Sequence, residues 1–290
     1  MLPVPVYGIH LMSTQKLIGC PTSVWADPLV RAIGKLGQFN VERRSPAENA
    51  HGLREGRLDA ALVSLIDYAR EGSLQRIIPG IAVSSRGGSN TVILRFREGI
   101  HTIKTLAVDP RSVSDIILAT VLLAEEFDVT PSVVPVEGPA MEMLGRADAA
   151  LITGDEALLD APRSNLTLDL VEAWTEMTEL PYVHGILCCR EHALTDDEAH
   201  SLSTLDPTPE DYLSTAASEA ASTHGLREQT SGARRSYLAA FTYTLTDEVK
   251  EGIAEFLKYA YYHGVIPDVP ELNFLSPSSP DDLLRDARQQ

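Results

Sequence analysis

The sequence predicts an α/β protein built as two lobes around a cleft. Short apolar runs alternate with helical patterns over residues 1–191, which is typical of α/β folds. After residue 192 the pattern is mostly helical. The length of 290 residues suits one large domain or two modest ones. We therefore expect a first lobe made of residues 1–98 and 192–290, with a second lobe, residues 99–191, inserted into it.

Hydrophobic periodicity and capping residues justify the individual elements. Apolar runs predict strands at 6–12, 39–44, 58–63, 77–84, 91–96, 106–108, 133–136, 149–152 and 182–189. Apolar residues at helical spacing predict helices at 27–36, 114–127, 139–146, 196–202, 209–222 and 249–262. A further helix follows the strand at 39–44, with Ser45 as N-cap, Pro46 in the first position and Glu48 in the third. Gly56 ends that helix.

Charge and cysteine content narrow the classes of partner. The chain has 41 acidic and 24 basic residues, a formal net charge of −17, which argues against nucleic-acid and anionic-membrane partners. A small anionic metabolite is compatible with this charge, because a local pocket can oppose the global field. Three cysteines, Cys20 and the adjacent pair Cys188 and Cys189, fit a reducing cytoplasm better than a disulfide framework. No secretory leader, membrane-spanning run or metal-ligand spacing is apparent in the sequence.

Ligands of two-lobed α/β folds bind at the carboxyl ends of strands, so the turns there are the candidate site. We single out the turns at 10–15, 63–68 and 84–91 and the helix starts at 109–114 and 153–156. A helix N-terminus offers free N–H groups that suit a carboxylate.

Purely structural interpretations of these residues are also open. Ser112 and Asp155 are typical N-caps, Ser64 can cap a helix, Gly87-Gly88 is typical of a tight turn, and a lone strand histidine such as His184 is usually structural.

The order of motifs resembles the chorismate dehydratase family of the futalosine route to menaquinone. The resemblance is carried by LREGRLDAALVSLIDY (53–68), IAVSSRGGSNTVIL (81–94), DAALITGDEAL (148–158), LDLVEAWTEMTELPYV (168–183) and EGIAEFLKYAYYHGVIPDVPELNF (251–274). It implies a cytosolic protein with a type II periplasmic-binding-protein fold. It also implies a lyase that removes water from chorismate to give 3-[(1-carboxyvinyl)oxy]benzoate. No metal or organic cofactor is implied.

The same resemblance implies site residues. The family's first-strand pattern S-Y-L-N-T-L-P-L aligns with residues 10–17, so that its pocket asparagine near the reacting centre falls on Ser13, the expected catalytic position. The family's serine after a glycine–proline turn falls on Thr91, and its helix start D-x-x-S-R-T-S aligns with 109–115. In that segment Asp115 adds a negative charge. The substrate-binding candidates are Ser64, Ser85, Arg86, Thr91, Arg111, Ser112 and Ser114, with either arginine as a carboxylate clamp.

Two other functions are open from the sequence. One is a non-catalytic or re-specialised protein of the same fold that binds a small anion. The other is the naphthoate-forming enzyme of the same pathway, which shares the fold. Its usual N-terminal motif is not visible here, and no histidine is placed as its base.

Overall fold

A computed structural model describes residues 15–71, 74–159, 166–210, 212–213 and 231–276. The strand predicted at 6–12 lies outside these ranges. The helix predicted at 209–222 is described only at 209–210 and 212–213, which are helical. Within the described part of the chain, no helix combines the length and apolar character needed to span a bilayer.

The first of two sheets has six strands. They are β1 (Lys16–Pro21), β2 (Phe39–Arg44), β3 (Ala60–Val63), β4 (Gln75–Ser85), β10 (Tyr182–Arg190) and β11 (Phe241–Thr244), in the order β11-β4-β10-β3-β1-β2. β1 lies parallel to β2 and β3, with Ile18 opposite Val41 and Ala60. β10 runs antiparallel to both β3 and β4, and β11 runs antiparallel to β4. The parallel strands β1 and β3 therefore bring their carboxyl ends to the same edge of the sheet.

The second sheet has five strands. They are β5 (Val92–Phe96), β6 (Thr105–Val108), β7 (Ser132–Pro135), β8 (Ala149–Thr153) and β9 (Thr167–Asp169), in the order β7-β6-β8-β5-β9. β6 lies parallel to β7 and β8, while β5 is antiparallel to β8 and β9. The carboxyl ends of β6 and β8 consequently share one edge, and the loops that leave this edge lead into helices.

The described helices cover both sheets. They are α1 (Asp27–Lys35), α2 (Pro46–Arg54), α3 (Leu65–Glu71), α4 (Val113–Phe127), α5 (Ala140–Leu144), α6 (Asp155–Leu159), α7 (Leu170–Thr178), α8 (Asp196–Ser203), α9 (Ser231–Leu238) and α10 (Asp247–Tyr262). The predicted start of α2 is confirmed, because Ser45 and Glu48 form a reciprocal capping box with Pro46 in the first turn. Gly56 follows the helix with a φ of 74°, a conformation that favours glycine.

Sheet membership defines two lobes and corrects two strand assignments. β5, which we expected in the first lobe, belongs to the second sheet, and β10, which we expected in the second lobe, lies at the centre of the first sheet. The physical reason is pairing: β10 is held between β3 and β4, and β5 between β8 and β9. The boundaries predicted at residues 98 and 191 therefore do not coincide with the division between the two sheets.

Apolar packing joins the two lobes beside the cleft. The largest core cluster includes Leu118 and Leu122 of α4, Trp174 of α7 and Phe256 of α10. The rings of Trp174 and Phe256 lie edge to face, with centroids 5.8 Å apart. The cysteines are buried as expected, and in β10 the side chains of Cys188 and Cys189 enter different core clusters on the two faces of the sheet.

Candidate functional site

A cleft of about 290 Å³ lies between the lobes. From the first lobe it is lined by Thr22, Ser23, Trp25, Ser45, Pro46, Ser64 and His184. From the second lobe it is lined by Thr91, Asp109, Arg111, Ser112, Val113, Ser114, Asp115, Thr153, Gly154, Asp155 and Glu156. The loops after β1, β3, β6 and β8 supply most of these residues, so the cleft lies where the carboxyl ends of parallel strands point.

Hydrogen bonds cross the cleft and hold the lobes together. The backbone N–H of Val24, from the first lobe, donates to Oδ1 of Asp155 at 2.9 Å. The backbone N–H of Ile66 in α3 donates to Oγ of Ser114 at 3.3 Å. A Cβ at Gly154 would lie 3.1 Å from Oγ of Ser23, which shows how closely the facing loops approach. The structure is therefore in a closed arrangement.

Four of the predicted hydroxyl residues converge on the cleft: Ser64, Thr91, Ser112 and Ser114. Ser64 also bonds to Asp67 in the first turn of α3, so the capping and cleft-lining interpretations both hold for it. Ser112 precedes α4 without making a side-chain cap, and its Oγ lies 3.0 Å from Oγ1 of Thr153. The plain N-cap interpretation of Ser112 is thus not supported.

The two predicted arginines do not form a free carboxylate clamp. Arg111 lines the cleft, but its guanidinium is bound by Asp109, with Nε–Oδ1 at 2.9 Å and Nη2–Oδ2 at 2.6 Å. This pairing raises the pKa of Arg111 above its usual range. Arg86 is half exposed and lies away from the cleft lining, where it pairs with Glu248 and donates to the carbonyl of Glu179 at 2.6 Å. The clamp role expected of Arg86 is therefore corrected: its charge is directed to a surface ion pair.

Ser85 and Ser13 complete the predicted set. Ser85 ends β4 and is almost fully buried, outside the cleft lining, with its Oγ 2.7 Å from Nε2 of His184. Ser85 therefore reaches the cleft only through His184. Ser13 lies outside the described residues, so its role stays a prediction. The loop after β1 also reaches the cleft, through Thr22, Ser23 and Trp25, three residues that were not predicted from the sequence.

Burial shifts the pKa of two titratable groups in the cleft, Asp115 and His184. Burial raises the pKa of Asp115 from 3.8 to about 6, although the hydroxyl of Tyr182, which donates to Oδ1 at 2.9 Å, opposes the rise. Burial lowers the pKa of His184 to about 3, so its imidazole is neutral at pH 7. His184 packs between the rings of Trp25, Tyr182 and Phe241 at centroid distances of 5.6, 4.9 and 5.2 Å.

The charges that line the cleft are mostly negative. Asp109, Asp115, Asp155 and Glu156 contribute carboxylates, and Arg111 is the cation among the described lining residues. The start of α4 adds backbone N–H groups and the positive end of a 15-residue helix. Among the described residues, no group of three or more His, Cys, Asp or Glu side chains is arranged to hold a metal ion.

The architecture is the two-lobed type II periplasmic-binding-protein fold, with a cleft between the α/β lobes. The structure resembles protein AF1704 from Archaeoglobus fulgidus, with a TM-score of 0.64 and 15% identity over 88% of this chain and 100% of that one. It also resembles the periplasmic aliphatic sulphonate binding protein SsuA from Escherichia coli, with a TM-score of 0.56 and 14% identity over 92% of this chain and 94% of that one. A third neighbour is the Candida albicans CA3427 product, described as having the generic periplasmic binding protein fold, with a TM-score of 0.52 and 9% identity over 92% of this chain and 99% of that one.

The amino-acid sequence shows to which family the chain belongs. A family model described as menaquinone biosynthesis matches residues 22–262. The chain belongs to this menaquinone biosynthesis family.

Proposed function

We propose that the protein is a lyase resembling chorismate dehydratase, which removes water from chorismate to give 3-[(1-carboxyvinyl)oxy]benzoate. The observation that carries the proposal is the convergence of Ser64, Thr91, Ser112 and Ser114 on one cleft in a member of a menaquinone biosynthesis family. Ser64, Thr91 and the pair Ser112 and Ser114 come from three separate segments of the chain, which meet only in the folded protein. A cytoplasmic location and a small anionic partner belong to the same proposal.

The cleft supplies three of the things that such a reaction needs. Its hydroxyls and the N–H groups at the start of α4 are donors for carboxylate and hydroxyl oxygens of a small ring compound. Trp25 and His184 form an apolar wall against which a flat ring can pack. Closure of the lobes by the Val24–Asp155 and Ile66–Ser114 bonds would exclude bulk water from the bound substrate.

One observation favours a second candidate, a re-specialised binding protein of the same fold. Chorismate carries two carboxylates, whereas the cleft presents four carboxylates and one guanidinium that Asp109 already neutralises. Like charges at short range disfavour binding of a dianion. A ligand with less negative charge would meet less repulsion in the same cleft.

The first test is direct. Purified protein is incubated with chorismate, and mass spectrometry follows the loss of one water. We expect turnover by the wild type and about a 10-fold lower kcat/KM for Ser112→Ala, which removes one hydroxyl donor from the cleft. Ser132→Ala, an exposed serine in β7, is the matched control and is expected to keep full activity. Absence of turnover by the wild type at high enzyme concentration would overturn the proposal.

A thermal-shift panel distinguishes the second candidate. Aromatic and carboxylate metabolites, including neutral analogues, are added to protein that shows no turnover. Stabilisation by a ligand of low charge without product formation supports a binding protein, since a ligand stabilises the state that it binds. No shift with any member of the panel would count against it.

A further inference from the structure

Asp115 occupies an unusual position for a carboxylate. It lies in the first turn of α4 and lines the cleft, where its residue is only partly exposed to solvent. Its Oδ1 accepts a hydrogen bond from the hydroxyl of Tyr182 at 2.9 Å. Within the described ranges no cation pairs with it. A partly buried carboxylate without a cationic partner is costly, so its presence in a ligand cleft calls for a physical explanation.

A purely structural role explains Asp115 poorly. A carboxylate at the start of a helix is usually stabilising when it accepts from backbone N–H groups, as the N-cap Asp169 does from Val171 and Glu172. Asp115 instead accepts from a side chain on β10. Tyr182 needs an acceptor because it is buried, but a neutral acceptor would satisfy its hydroxyl at lower cost.

Several titratable and charged groups lie in the part of the cleft around Asp115. On β10, Tyr182 donates to Asp115, the ring of His184 packs against Tyr182 with centroids 4.9 Å apart, and Oγ of Ser85 lies 2.7 Å from Nε2 of His184. The remaining charged groups of the cleft are Asp109 and Arg111 ahead of α4, and Asp155 and Glu156 at the start of α6. His184 is neutral at pH 7, because burial lowers its pKa to about 3. It therefore does not supply a compensating charge to Asp115 at that pH.

We propose that Asp115 is a catalytic residue of this cleft, the group that exchanges a proton with the substrate while Tyr182 orients its carboxylate. This inference rests on the proposed lyase function. It is carried by the placement of a carboxylate on the cleft wall, with a tyrosine hydroxyl as its hydrogen-bond partner and a neutral histidine beside that tyrosine.

The elimination balances with Asp115 alone as the proton carrier. The carboxylate accepts the proton from a ring carbon, and the electron pair of that C–H bond forms the new ring double bond. The neighbouring C–O bond breaks with its electron pair on the departing hydroxyl. That hydroxyl takes the proton back from Asp115 and leaves as water, so Asp115 returns to its carboxylate form. A carboxyl pKa of about 6 suits both halves of this exchange near neutral pH.

The test measures kcat/KM for chorismate from pH 5 to pH 9 in the wild type and in three variants. Asp115→Asn is expected to lower kcat/KM by about 100-fold or more, because it removes proton transfer but keeps the shape of the side chain. Asp128→Asn is the matched control, an exposed carboxylate at the other end of the same helix, and is expected to match the wild type. Far-UV circular dichroism shows whether each variant is folded.

The Tyr182→Phe variant distinguishes a catalytic role of Asp115 from a purely structural one. The readout is the acid limb of the pH profile, which a purely structural role would leave unchanged. The hydroxyl of Tyr182 lowers the pKa of Asp115, so its removal is expected to shift the acid limb of the pH profile upward from near pH 6. An active wild type with a fully active Asp115→Asn variant would overturn the role of Asp115 and leave the proposed function intact. So would a Tyr182→Phe profile with an unshifted acid limb. A wild type without turnover would overturn both.

Discussion

Replacing Asp115 by asparagine is expected to stabilise the folded protein at pH 8 and to change its stability little at pH 4. The reason is that burial raises the pKa of this carboxyl in the folded state from 3.8 to about 6. The folded chain therefore holds the proton more tightly than the unfolded chain does. Wild-type stability falls as the pH rises from about 4 through 6, because deprotonation then favours the unfolded state.

The magnitude follows from the size of that change in pKa. Each pKa unit corresponds to about 1.4 kcal/mol, so ionised Asp115 lowers the free energy of unfolding by at most about 3 kcal/mol above pH 7. Solvent in the cleft screens part of this effect, which makes the figure an upper bound. Asparagine is neutral at every pH, so the free energy of unfolding of the variant is not lowered by ionisation at position 115. By linkage, its advantage falls to roughly half at pH 5 and nearly disappears at pH 4.

The assay is urea unfolding at pH 4, 5, 6 and 8, followed by circular dichroism and by fluorescence of Trp25 and Trp174, for wild type, Asp115→Asn and Asp128→Asn. The control is expected to stay within about 0.5 kcal/mol of the wild type. An Asp115→Asn variant that is destabilised at pH 8, or whose gain does not depend on pH, would refute the reasoning. In that case Asp115 would be a structural residue.

Three further predictions concern the fold. Gly80→Ala in β4 is expected to destabilise the protein by about 3 kcal/mol or more, because the added Cβ would lie 2.2 Å from the carbonyl oxygen of Ser203 and the φ of 89° disfavours a side chain; a thermal melt close to wild type would contradict this. Thr195→Ala removes the capping box of α8 and is expected to cost about 1 kcal/mol without altering turnover or ligand binding. The cysteines are expected to resist a thiol reagent at pH 8 until the protein unfolds, because burial raises the pKa of all three thiols; Cys20 reaches about 12 and Cys189 about 11. Rapid modification of the folded protein would show that one of them is accessible.

Local signals in the sequence predicted much of the fold. β2 has the predicted bounds, and α1 and α4 lie where their apolar periodicity placed them. The capping box of α2 is also local, since it needs only Ser45 and Glu48 three residues apart. Each of these features is decided by residues close together in the chain. That is why periodicity and capping rules were sufficient for them.

The strands β1 and β11 were not predicted from the sequence, because they form by pairing with segments that are distant in the chain. β1 is a short apolar segment after an apolar run at 6–12, and its role is fixed by pairing with β2 and β3. β11 alternates buried and exposed residues over four positions and pairs with β4. The partner of Arg86 is equally distant, since Glu248 lies 162 residues along the chain. No local pattern contains this information, so the clamp expected at Arg86 was wrong.

Besides Ser13, the observed end of β1 offers a second place for the family's pocket asparagine. If S-Y-L-N-T-L-P-L follows β1 rather than the run at 6–12, its proline and leucine fall on Pro28 and Leu29. Its asparagine then falls on Trp25, which lines the cleft. Tryptophan has one N–H donor and no side-chain acceptor, so the hydrogen bonding of an amide is absent from this position.

With that second alignment, Trp25 and Asp115 both depart from the family pattern within one cleft, and Asp115 is a carboxylate that lowers stability when it ionises. Groups that weaken the fold in a ligand cleft are typical of function, because stability alone would favour a neutral residue there. An aromatic wall at Trp25 would hold a ring, and a carboxylate at Asp115 would exchange a proton with it. The two differences are therefore better explained by a coordinated change in how this cleft handles its ligand than by loss of a site.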